Sequence, residues 1–79
     1  MKKNIGIYLT NTDSEVFMKT LYGSINERLP DIKTELVYGQ ETIYGSRTTI
    51  IFDYSPENLL LITSLMSPEL KDALSISPL

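Results

Sequence analysis

Polar and apolar residues alternate from Asn4 to Thr10. Ile5, Ile7 and Leu9 fall on one side, and Gly6, Tyr8 and Thr10 on the other, which predicts a strand with one strongly apolar face. The period then changes. Met18, Leu21, Tyr22, Ile25 and Leu29 recur at helical spacing, and Phe17 widens their stripe. Thr12-Asp13-Ser14-Glu15 has the form of a capping box before this helix. Pro30 ends it by forcing Leu29 out of the α region. Gly23 lies inside the helix, where glycine costs about 1 kcal/mol relative to alanine, and close packing there is the expected reason.

Ile32 to Tyr38 reads as a second strand. If it pairs with the first, the two should be parallel with a right-handed crossover. Gly39-Gln40 punctuates the chain. Glu41 to Tyr44 is a short strand or a loop, and Gly45-Ser46 carries the signal of a type II′ hairpin turn. Arg47 to Tyr54 is the strand richest in β-branched and aromatic residues.

Ser55-Pro56-Glu57 follows as a helix start: a hydroxyl to accept an orphan amide, a proline pre-set for the first helical position, and an acid at the positive end. Leu59, Leu61, Ile62, Leu65 and Met66 form the apolar arc of this helix, and Leu60 falls outside it. Ser67-Pro68-Glu69 repeats the tripeptide, predicting a bend and a new helix whose apolar side is Leu70, Ala73 and Leu74. Ser-Pro pairs are also phosphorylation targets, but capping accounts for both copies. Ser75 to Leu79 reads as a frayed tail of the one small domain that residues 1–79 make.

The order β-α-β-(β)-β-α-α implies an α+β protein. The expected architecture is a two-layer α/β sandwich: a small mixed sheet of three or four strands, with helices mainly on one face. The order of elements resembles the β-α-β-β-α arrangement of the DNA-damage-inducible protein I family, small cytosolic regulators of recombinase filaments. The strongly acidic second helix of that family is not matched by Leu59–Met66.

Composition narrows the function. A 79-residue chain sits near the lower size limit for an unaided core. A hydrophobic content of 42% and charged content of 22% argue against global disorder. A net charge of −3 disfavours broad phosphate-backbone binding. The chain has no Cys and no His, which removes thiol and imidazole chemistry and the common zinc sites. The missing cysteines point to a reducing compartment, the cytoplasm. The apolar run behind Met1-Lys2-Lys3 is too short for a signal peptide, and no stretch approaches a membrane span.

Candidate chemistry is sparse. If the Asn4 and Arg47 strands run the same way, Asp13 and Asp53 meet at one sheet end, where waters could bridge them to Mg²⁺ with help from Asn11 or Thr12. Helix capping and a strand end explain the same two residues, so no metal, cofactor or catalytic residue is expected. Arg47, Thr48 and Thr49 could touch an anion, against the plainer reading of a solvated strand end. Tyr8, Tyr22, Tyr38, Tyr44 and Tyr54 are many for this length, and tyrosine suits both protein interfaces and base stacking.

The expected function is a small non-enzymatic regulator or inhibitor that acts through protein–protein contacts; a phage or mobile-element protein blocking a host factor fits the size. A nucleic-acid-binding module using a tyrosine-bearing sheet face is the alternative. The expected interface comprises Leu60, Met66, Tyr44 and Tyr54, serving a protein partner or a homodimer.

Overall fold

The computed structural model describes residues 3–78. Met1 and Lys2, weighed above as a signal-peptide start, and Leu79 of the expected tail lie outside them. Seven elements follow one another: β1 (Asn4–Leu9), α1 (Glu15–Arg28), β2 (Thr34–Thr42), β3 (Gly45–Asp53), α2 (Pro56–Thr63), α3 (Pro68–Asp72) and β4 (Leu74–Pro78). The four strands form one sheet in the order β2-β3-β1-β4, antiparallel at every junction. The α+β architecture is as expected. The sheet is not mixed, and the reason lies in where β3 goes.

β1 and β2 run in the same direction but do not pair. β3 lies between them, with Ile5 opposite Phe52 on one side and Thr34 opposite Phe52 on the other. The tight hairpin after β2 makes its apolar return strand the natural neighbour, so β3 fills the slot a parallel β1–β2 ladder would need. Glu41 and Thr42 belong to β2 rather than to a separate strand.

The hairpin turn is displaced by two residues from the expected one. Thr42 pairs with Gly45, which leaves Ile43 and Tyr44 at the tip. No described non-glycine residue has positive φ, whereas Gly45 has φ 99°. A type II′ turn would need positive φ at Ile43, so this glycine serves instead as the left-handed residue after the turn. The Thr42 hydroxyl accepts from the Tyr44 amide at 3.1 Å and donates to the Gly45 carbonyl at 2.6 Å. Further along, pairing slips between Val37 and Gln40, so Tyr38 and Gly39 together face Thr48. Gly39, with φ 69°, supplies the left-handed backbone of this bulge.

The helices cover one face. Ile5, Ile7 and Leu9 from β1, with Ile50 and Phe52 from β3, pack against Met18, Leu21 and Ile25 of α1 and against Ile62 and Met66. The second face of β1 is buried too. An added Cβ on Gly6 would lie 2.7 Å from Thr49 Cγ2, so Gly6 marks a close side-chain approach. Tyr8 is only 3% exposed, with the Tyr44 ring of the hairpin tip 6.4 Å away and tilted by 53°.

Ser14, not Thr12, caps α1; its hydroxyl accepts from the Phe17 amide at 3.3 Å. Ser55 caps α2 as expected, accepting from Asn58 at 3.0 Å. Ser67 stands at the start of α3 but makes no side-chain cap bond. Leu74 leaves α3 and opens β4, so the expected frayed tail is instead an edge strand from Leu74 to Pro78.

Gly23 departs from expectation as well. It is exposed, and an added Cβ would meet nothing within 4 Å. Gly23→Ala should therefore raise stability by about 1 kcal/mol through helix propensity alone. Urea denaturation followed by circular dichroism measures this directly. A loss of stability would mean that the helix needs the glycine for a reason other than space.

Candidate functional site

The expected interface does not assemble. Leu60 is 70% exposed on α2, whereas Met66 is buried at 6% in the core with Ile62. Met66 follows the end of α2, and the turn that leads into α3 carries it inward. Tyr44 sits at the hairpin tip, before the first residue of β3. Tyr54 follows the last residue of β3, where its amide donates to the Lys3 carbonyl at 2.8 Å. Nine strand residues, about 30 Å of extended chain, separate the two tyrosines. Tyr44 also approaches Tyr8, whose cross-strand partner is Ser75 and whose strand neighbours Ile7 and Leu9 point into the helix-covered core. That places Tyr44 over the helix-free face, away from Leu60.

The two aspartates do not converge either. Because β1 and β3 are antiparallel, Asp53 lies opposite Asn4, at the end of the sheet where β1 begins. Asp13 lies beyond the other end of β1 and accepts the Thr48 amide at 2.6 Å. Among the described residues, no group of three or more His, Cys, Asp or Glu is placed to hold a metal ion.

Asp13 and Arg47 have a structural role that sequence spacing did not suggest. The Tyr54 amide bonds to Lys3, and pairing then runs through Ile5–Phe52 and Ile7–Ile50. The next hydrogen-bonded pair in this alternation would be Leu9 with Thr48. It does not form. Asp13 takes the Thr48 amide, and Arg47 Nε donates to the Leu9 carbonyl at 3.1 Å. Arg47 also reaches the Thr10 carbonyl at 3.1 Å and the Ser46 carbonyl at 2.9 Å. Two side chains thus stand in for the backbone partners of a missing rung. Arg47 is held by three carbonyls rather than at a solvated strand end, and no anion is needed to explain its position. Thr48 and Thr49 are both buried, and the Thr48 hydroxyl has no hydrogen-bond partner.

A shallow depression of about 370 Å³ lies at the Asp53 end of the sheet, with Asn4, Asp31, Lys33, Glu35, Asp53 and Asn58 among its lining. Two of these residues are bonded to each other: Asn58 Nδ2 donates to the Asp53 carbonyl at 2.9 Å. The lining mixes carboxylates, one ammonium, amides and the apolar side chains of Ile32, Ile51 and Phe52. It offers no nucleophile with an adjacent base and no phosphate-binding glycine loop.

The clearest candidate surface is the outer side of α2. Leu61 was expected to face the core, yet it is 44% exposed beside Leu60. The core direction is set by Ile62 and Met66, which leaves Leu61 on the flank. The Thr63 hydroxyl donates to the Leu60 carbonyl at 3.1 Å, and the Ser64 hydroxyl to the Leu61 carbonyl at 2.6 Å. The Leu60 carbonyl also accepts the Ser64 amide at 2.9 Å, whereas the Ser64 hydroxyl gives the Leu61 carbonyl a partner at the helix end. Sequence reasoning also passed over Ile43, which is 88% exposed at the hairpin tip. Its signal was present: a β-branched apolar residue in a turn breaks the usual turn chemistry.

Among the described residues no helix is long and apolar enough to cross a membrane. No family model, curated protein or solved structure gives a significant match to this chain.

Proposed function

We propose that this chain is a small non-enzymatic regulator that works by binding another protein, and that the outer side of α2 is where it docks. The observation that carries this reading is the exposure of Leu60 and Leu61 as neighbours on one helix, at 70% and 44%. Neither leucine belongs to the buried core cluster. Adjacent exposed apolar side chains on a short, capped helix suit an apolar seat on a partner. The antiparallel sheet beneath holds the helix in one orientation, so little ordering entropy is lost on docking. Tyr8, the tyrosine of the central strand β1, lies buried next to Tyr44 and presents no free ring for base stacking.

Leu60→Glu tests the reading. Removing an exposed leucine should change folding stability by less than about 0.5 kcal/mol. The same change should abolish capture of the protein that wild type retains in a lysate pull-down, while Val16→Glu, at a 78% exposed site on α1, leaves capture intact. Equal capture by wild type and Leu60→Glu would reject α2 as the docking surface.

A further inference from the structure

We propose that β4 pairs with β4 of a second copy, joining two sheets across a two-fold axis into one continuous sheet. The Thr10 amide donates to the Ala73 carbonyl at 2.7 Å, which fixes the alternation of the β1–β4 ladder. Tyr8–Ser75 and Gly6–Ser77 are then the hydrogen-bonded pairs, and Leu9–Leu74, Ile7–Ile76 and Ile5–Pro78 the others. In those others, backbone groups point away from the partner strand. The amides of Leu74 and Ile76 and the carbonyls of Leu74, Ile76 and Pro78 therefore face outward from the sheet. Proline stands where its missing N–H is lost from the free edge and not from the β1 ladder.

The strand is chemically palindromic. Leu74-Ser75-Ile76-Ser77-Pro78 reads apolar, Ser, Ile, Ser, apolar in both directions. A two-fold interface presents the same patch twice and so requires this kind of self-complementarity. With Ile76 opposite Ile76 of the second copy, each Ile76 amide donates to the other Ile76 carbonyl. Each Leu74 amide donates to the Pro78 carbonyl across the axis, while the Leu74 carbonyl, facing a proline that has no N–H, stays with water. Ile76 meets Ile76 and Leu74 meets Pro78 on the helix-bearing side, and Ser75 meets Ser77 on the other. Ile76 is 48% exposed although its cross-strand partner Ile7 is fully buried, and the pairing covers it.

No charge opposes the contact, because β4 contains none. The other edge is guarded in the usual ways. β2 carries the Tyr38–Gly39 bulge and the exposed acids Glu35 and Glu41, which discourage edge-to-edge pairing. This proposal is independent of the docking role given to α2.

Sedimentation equilibrium combined with amide hydrogen exchange on the full chain tests it. The expected result is a dimer in which the Leu74 and Ile76 amides become protected as concentration rises. Ile76→Lys places like charges opposite each other and should weaken dimerisation by roughly tenfold or more. Leu60→Glu should leave it unchanged, which separates failure of this proposal from failure of the α2 reading. A monomer at concentrations up to about 1 mM would overturn it. So would a dimer with the two amides unprotected, a dimer unaffected by Ile76→Lys, or one lost in Leu60→Glu. Protection that appears only when another protein is added would assign the edge to a different occupant and also overturn it.

Discussion

Phe52→Ala should leave the chain largely unfolded at 25 °C. Phe52 is 1% exposed on a central strand, flanked by Ile5 on β1 and Thr34 on β2, and it belongs to the single buried cluster that α1 and α2 share. Truncating a buried phenylalanine costs roughly 3–5 kcal/mol, part transfer and part cavity. A chain of this length has on the order of 4–12 kcal/mol to lose, and a core this small belongs at the low end of that range, where the truncation removes most or all of it. The void cannot close easily, because the strand is pinned on both sides by backbone ladders. Loss of the far-ultraviolet circular dichroism signal, or a urea midpoint shifted close to zero, is the expected readout. A destabilisation below about 1.5 kcal/mol would mean that the core repacks around the gap and that Phe52 is not central to it.

Arg47→Lys should destabilise by about 2–3 kcal/mol, although it keeps the charge. The guanidinium contacts the carbonyls of Leu9, Thr10 and Ser46 from three different nitrogens. A lysine ammonium is a compact donor that cannot span this set. Hydrogen bonds from a charged donor contribute about 1.5–3 kcal/mol each, and the orphaned Leu9 carbonyl adds a desolvation cost. The effect should be local as well as global. The Thr48 amide, held by Asp13, should exchange faster in Arg47→Lys because the two side chains secure the same gap between β1 and β3. Denaturant melts and hydrogen exchange on the two proteins measure both effects. A lysine variant within 0.5 kcal/mol of wild type, a margin typical of a surface substitution, would show that water replaces the guanidinium at these carbonyls.

The α+β class, the helix from Glu15 to Arg28, the strand over Arg47–Tyr54 and the start of α2 at Ser55 were legible in the sequence for local reasons. Hydrophobic period, a serine before proline and a proline after a helix act over a few residues, and the chain carries those signals strongly. The core side of α2 at Leu59 and Ile62 was legible too, and with it the exposure of Leu60.

Tertiary structure decided the rest, and each case turns on a long-range partner. β4 is a strand because Leu74–Pro78 finds the open edge of β1 about seventy residues earlier, and Ser-Ile-Ser-Pro has no local signal strong enough to announce that. The antiparallel sheet follows from β3 taking the place beside both β1 and β2, a competition between strands that no single window of sequence records. Gly6 is needed because Thr49 lies against it, and Gly23 is not needed because nothing does. Leu61 lies on the flank of α2 because Ile62 takes the core side, and Met66 reaches the core because the turn after Thr63 carries it inward. Asp13 and Arg47 acquire their role only when β1 parts from β3 and leaves an amide and a carbonyl to satisfy. Composition and period thus determined six of the seven elements among the described residues, whereas pairing between distant strands made β4 and determined which face and edge remain open to a partner.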